Sequence, residues 1–237
     1  MLQLIGLIAI SWLLIWLFEK GNLSVLGLTP TKKRLKYFTI LFISSAIFSA
    51  TAFLLRIYFA KEEYTISQSL TTKSMLLETW YQFRTVLTEE LLCRGVLLYI
   101  LIKKIGQTKA VIISSIIFAL LHWINAGVWG NLNQMTIVFA FTFVMGLLLA
   151  YSYARTFSLL IPFAIHYGWN LTQNYIFPDN PTGNHIFTLV TPPPTVTISY
   201  LAFFTMLLLP KISVLVIDYL IVKQHRQVEV PSKNAST

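Results

Sequence analysis

Leu87-Thr88-Glu89-Glu90-Leu91-Leu92-Cys93-Arg94-Gly95-Val96-Leu97-Leu98-Tyr99-Ile100-Leu101-Ile102 is the stretch on which the fold turns. The segment around it, from about Leu76 to Ile102, is long enough to cross a bilayer, for which about 20 residues suffice. Two carboxylates and a guanidinium are expensive there. An ionised side chain at mid-membrane depth costs between about 2.5 and 17 kcal/mol, and is tolerated where it faces a protein interior or a wet cavity and finds a partner. Glu89, Glu90 and Arg94 are therefore candidate functional residues.

The rest of the chain agrees with a membrane reading. Of 237 residues, 56% are hydrophobic and only 11% are charged, too apolar for an ordinary soluble domain. The formal net charge is +9, but the basic residues fall in short segments between apolar runs, the pattern of positive-inside loops rather than of a nucleic-acid surface. No nucleic-acid partner is expected. A single cysteine, Cys93, excludes an internal disulfide and forms no metal-type Cys pattern.

The expected fold is all-α, a polytopic transmembrane helix bundle of about seven spans. They run Leu2 to Phe18, Tyr37 to Ala60, Leu76 to Ile102, Val111 to Ile124, Met135 to Tyr153, Ser158 to Phe177 and Val196 to Val222. Pro210-Lys211 interrupts the last, which makes eight spans if it splits. Prolines 178, 181, 192, 193 and 194 rule out a continuous helix over 178–195, so a loop is expected there, and the tail after Arg226 reads as disordered. Lys32 to Lys36, Lys103 to Lys109, Arg155, Lys223 and Arg226 follow the odd-numbered spans, which puts the N-terminus outside and the C-terminus in the cytoplasm. Residues 1–75 form an N-terminal helical part, 76–177 a core, and 178–237 a proline-rich loop, a final span and a tail.

Helical geometry sharpens the acidic motif. Glu90 and Arg94 are four apart and share a face, whereas Glu89 is turned about 100° from Glu90. Arg94 can neutralise Glu90 and leave Glu89 to face a cavity as a general base. A buried ion pair that only holds helices in register is the plainer alternative. Phe118 and His122 are also four apart, as are His166 and Asn170. Taken singly, each pair reads as interhelical hydrogen bonding. Taken together, one acid, two imidazoles and a carboxamide offer a base, an orienting group and oxyanion donors.

The ordered set EExxxR, FxxxH and HxxxN resembles the CAAX protease and bacteriocin-processing enzyme family, the CPBP or Abi intramembrane proteases related to type II CAAX prenyl endopeptidases. The likeness spans about Leu76 to Tyr175. It implies that Glu89 activates the hydrolytic water, that His122 helps hold it, and that Glu90 and Arg94 support the site. It implies that His166 and Asn170 stabilise the oxyanion. Arg155-Thr156-Phe157-Ser158-Leu159 is similar to the family's Thr-Gly-Ser-Leu turn, with Phe157 where glycine is common. Prenyl-processing relatives act on cytoplasmic substrates, whereas the charge pattern points His122 towards the outer face.

The implied activity is an intramembrane endopeptidase without a covalent intermediate, in a multi-pass protein of the plasma membrane. Its substrate is a peptide or membrane-associated protein, lipidated or not, met in the lipid bilayer. No cofactor is expected. A zinc-dependent version using Glu89, His122 and His166 is the alternative, without an HExxH motif to support it. A non-catalytic scaffold or bacteriocin-immunity protein, and a proton-coupled transporter, are the readings from other classes.

Overall fold

In the computed structural model, residues 2–178, 185–225 and 227–228 are described. The architecture is all-α, as expected, with one two-stranded sheet. Pro181, Gly183, Arg226 and the tail from residue 229 onward lie outside the described residues.

Of the seven expected spans, four correspond to helices long and apolar enough to cross a membrane. These are α2 (Lys32–Ala60), the run from α5 (Gln107–Leu121) through a 3-10 turn to Ile124, α6 (Leu132–Thr156) and α8 (Tyr200–Gln224). The chain is an integral membrane protein. Helix α1 (Leu2–Glu19) is apolar on every face but shorter. Helix α3 (Thr72–Arg94) carries Lys73, Glu78, Arg84, Glu89, Glu90 and Arg94, too many charges for a lipid-facing span.

Three expected boundaries are corrected. The third span is two helices, α3 and α4 (Val96–Ile105), broken at Gly95, where a Cβ would lie 2.2 Å from the Leu91 carbonyl oxygen. The sixth is α7 (Leu160–Leu171), followed by a π-helical turn over Thr172–Ile176. The seventh is continuous, with Pro210 inside α8. Proline removes one N–H from the ladder, and other donors re-satisfy freed carbonyls in membrane helices. Pro210 withholds its N–H from the Met206 carbonyl, and next to it Lys211 Nζ donates to the Leu207 carbonyl at 3.1 Å.

Local chemistry accounts for the helix starts. Thr71 Oγ1 accepts the Ser74 amide at 3.1 Å while Ser74 Oγ accepts the Thr71 amide at 2.9 Å, a reciprocal cap on α3. Thr31 Oγ1 caps α2 through the Arg34 amide, and Asn131 Oδ1 caps α6 through the Gln134 amide.

Two compact units emerge. One takes its residues from Met1–Tyr37, Leu87–Phe163 and Ile221–Thr237, and the other from Phe38–Val86 and Ala164–Leu220. Within the first unit, α5 lies along α6, and Gly146 makes the approach close: a Cβ there would sit 3.1 Å from Ser115 Cα and 3.3 Å from Phe118 Cδ1. Its core holds Leu98, Tyr99, Tyr153 and Phe157. Phe157 adopts φ 43°, which explains why glycine suits this turn, and its ring compensates by stacking edge-on with Tyr99 and Tyr153. The turn is locked by Ser158 Oγ on the Gly27 carbonyl at 2.8 Å.

In the second unit, the sheet pairs β1 (Tyr64–Ile66) antiparallel with β2 (Phe187–Leu189), Thr65 opposite Thr188. The expected loop over 178–195 thus contains a strand. Phe53, Tyr64, Phe177 and Phe187 stack beside it, with ring centroids 4.8 to 6.0 Å apart.

Candidate active site

The first unit holds the acidic motif and His122. Glu90 and Arg94, one helical turn apart at the end of α3, are fully buried and joined by Arg94 Nη1 donating to Glu90 Oε1 at 3.0 Å. The shared face expected from the spacing is the face observed. Glu89 is half-buried, in keeping with its different face. Arg94 Nε and Nη2 have no hydrogen-bond partner among the described residues. The guanidinium instead lies on the Phe118 ring, 3.9 Å from its centroid, where a desolvated cation–π contact is worth about 2 kcal/mol.

Phe118 carries the arrangement on to His122. The two rings meet edge-on at 4.4 Å. At His122 the α-helix tightens into a 3-10 turn, so the His122 amide bonds to the Ala119 carbonyl rather than to that of Phe118. The Phe118 carbonyl, at 2.8 Å, then accepts from His122 Nδ1. A carbonyl can only accept, so Nδ1 carries the proton and Nε2 of the neutral ring is an acceptor. Trp123 Nε1 fixes the turn by donating to the Met135 carbonyl at 2.9 Å. Where α3 breaks, the Cys93 carbonyl is met by Ser114 Oγ of α5 at 2.8 Å, which ties the acidic helix to the helix that ends at His122.

The second unit holds His166 and Asn170. His166 is buried, Asn170 is half-buried, and Asn170 Nδ2 donates to His166 Nε2 at 3.1 Å. That bond uses one of the two hydrogens of the amide group. Helix α2 clamps this turn. Ser45 Oγ donates to the Ile165 carbonyl at 2.7 Å and Ser49 Oγ to the Trp169 carbonyl at 3.1 Å, the residues just before the histidine and the asparagine. Gly168 permits the contact, since a Cβ there would lie 2.4 Å from the Phe42 carbonyl oxygen. Tyr167 packs on Phe42 and Phe83 on either side.

Two supporting features escaped the sequence reading. Ser45 and Ser49 form a small-xxx-small pair whose spacing was legible, but neither is charged or lies near a motif. Gly146 gave no signal of its own. Among residues read as structural, Arg56 pairs with Glu62, its Nε 2.7 Å from Oε2, and the Arg84 guanidinium lies 5.6 Å from the Tyr81 ring centroid. Among the described residues, no group of three His, Cys, Asp or Glu side chains is placed to hold a metal ion.

Residues 71–172 match the family described as type II CAAX prenyl endopeptidase Rce1-like. No curated protein and no solved structure matches the chain. The matched stretch contains Glu89, Glu90, Arg94, His122, His166 and Asn170, so all three motifs fall inside it. Over residues 71–172 the chain is thus similar to the family described as type II CAAX prenyl endopeptidase Rce1-like.

Proposed function

We propose that the chain is an intramembrane endopeptidase of the plasma membrane that hydrolyses a peptide bond with glutamate-activated water. The carboxylate of Glu89 takes a proton from water as the water oxygen attacks the scissile carbonyl carbon. His122 Nε2 accepts the other hydrogen of that water and orients it. The carbonyl oxygen becomes an oxyanion, and His166 with the remaining N–H of Asn170 stabilises it. Collapse breaks the C–N bond, and Glu89 returns its proton to the leaving amine. Glu90 and Arg94 keep the acidic turn in place.

The observation that carries this reading is the bond from His122 Nδ1 to the Phe118 carbonyl, which in the neutral ring makes Nε2 the hydrogen-bond acceptor. The buried Glu90–Arg94 pair supports it too, since it neutralises one carboxylate of the motif and leaves the chemistry to the other. No step is routed through a metal or cofactor. The substrate class is a membrane-associated peptide, with a prenylated tail, a bacteriocin leader and a membrane-protein segment as the candidates.

Comparison of membrane-peptide profiles from cells carrying the intact chain and Glu89→Gln tests the proposal. A cleavage product that requires the intact chain, with rate losses of at least about a hundredfold in the variant, is expected. The same product at an undiminished level in Glu89→Gln ends the catalytic reading. Proteolysis that persists in a strong chelator is also expected, and its loss with restoration by zinc alone establishes the zinc-dependent version instead.

A further inference from the structure

From Ala110 to Ala154 the chain contains no aspartate, glutamate, lysine or arginine. That stretch takes in two membrane spans of the first unit, the α5 run to Ile124 and α6 from Leu132, and the turn that joins them. Nothing ionised holds this turn in water. Its outward side chains are apolar instead: Ile124, Trp129 and Leu132 are 76, 74 and 76% exposed, whereas Val128 between them is buried. Exposed large apolar side chains gathered in one short turn mark a surface that something else covers.

The turn is shaped by its own bonds. The amides of Asn125, Val128 and Asn131 each donate to the carbonyl three residues earlier, at 3.1 to 3.2 Å, and the Met135 amide donates to the Asn131 carbonyl. Trp123 Nε1 is held by the Met135 carbonyl, and the Trp129 ring meets the Trp123 ring at 6.4 Å. A backbone that satisfies its polar groups internally can leave water, and no charged side chain has to be dragged with it. Tryptophan favours the boundary between headgroups and hydrocarbon. We infer that the 124–132 turn is immersed in the interfacial layer of the bilayer, with Trp129 at headgroup level and Ile124 and Leu132 among the upper acyl carbons. His122 opens the same 3-10 turn as Ile124, so its imidazole is held at that boundary rather than in the aqueous phase. The inference concerns depth and does not depend on the hydrolytic reading.

The test compares the full chain with Trp129→Phe in phosphatidylcholine vesicles, where the difference in tryptophan fluorescence isolates Trp129. Bromines on the upper acyl carbons should quench that component at least about twofold more than bromines near the chain ends. Iodide on both sides of the vesicle should quench it about fivefold less than free tryptophan. A spin label on Leu132→Cys gives a second reading, since the native Cys93 is buried. There, collisions with oxygen, which partitions into lipid, should exceed those with a water-soluble nickel chelate. Thermal unfolding identifies a variant that has lost its fold, in which case the other decides. Full iodide quenching without an effect of brominated lipid, or nickel collisions exceeding those of oxygen, places the turn in water and overturns the inference. Stronger quenching by bromines near the chain ends overturns it as well. Protection from both quenchers would mean that a second copy of the chain covers the turn, which also overturns it.

Discussion

His122 and His166 belong to different units, and the hydrogen bonds around them run in opposite directions. At His122 the ring donates to a backbone carbonyl through Nδ1, which fixes Nε2 as an acceptor. At His166 the ring nitrogen Nε2 is itself the recipient, from Asn170. One imidazole is anchored by the main chain, while the other is held by a side-chain amide, one of whose two hydrogens that bond uses. Two histidines of the same type in one membrane protein are thereby given unlike roles by their nearest neighbours rather than by their own chemistry.

Substitutions can break or sharpen that contrast. His122→Ala removes the acceptor and is expected to lower turnover by about 10² to 10⁴, measured as initial cleavage rate in reconstituted vesicles. Asn170→Ala removes one oxyanion donor, with an expected loss of about 10² to 10³ in kcat and little change in KM. An equal loss confined to KM would assign Asn170 to substrate binding and dissolve the proposed division of labour. Phe118→Leu deletes the ring between Arg94 and His122. It should cost about 2 kcal/mol of stability in thermal unfolding and roughly tenfold in rate, with the His122 bond to the main chain preserved. Ser49→Ala removes one clamp on the His166 turn, for which about 1 kcal/mol and a rate change of less than tenfold are expected. A larger effect on rate than His122→Ala would show that the clamp, not the imidazole, limits the reaction.

How far the chain disclosed this beforehand depended on which signal carried each feature. The four long apolar helices were plain from composition, because a bilayer demands an uninterrupted run and tolerates little else. The break at Gly95 was hidden, since the apolar pattern continues straight across it and only the backbone position beneath the Leu91 carbonyl betrays it. Pro210 misled in the opposite sense, as one proline removes a single rung of the ladder and α8 continues through it. The two short strands have three residues each, too few for a periodic pattern to register. In the candidate site, the i to i+4 pairing of Glu90 with Arg94 and of His166 with Asn170 followed from helix geometry alone. The tautomer of His122 did not, because it hangs on a change of helical pitch that no residue type announces.

That change of pitch has a consequence for how the protein can be altered. Because the chain coils more tightly from His122 onward, the carbonyl of Phe118 is released from its ordinary duty and becomes a fixed docking point for the imidazole. The ring is oriented by where the coil narrows, so replacements that leave every named side chain intact but extend the regular spiral through Trp123 and Ile124 would reclaim that oxygen and set the imidazole adrift.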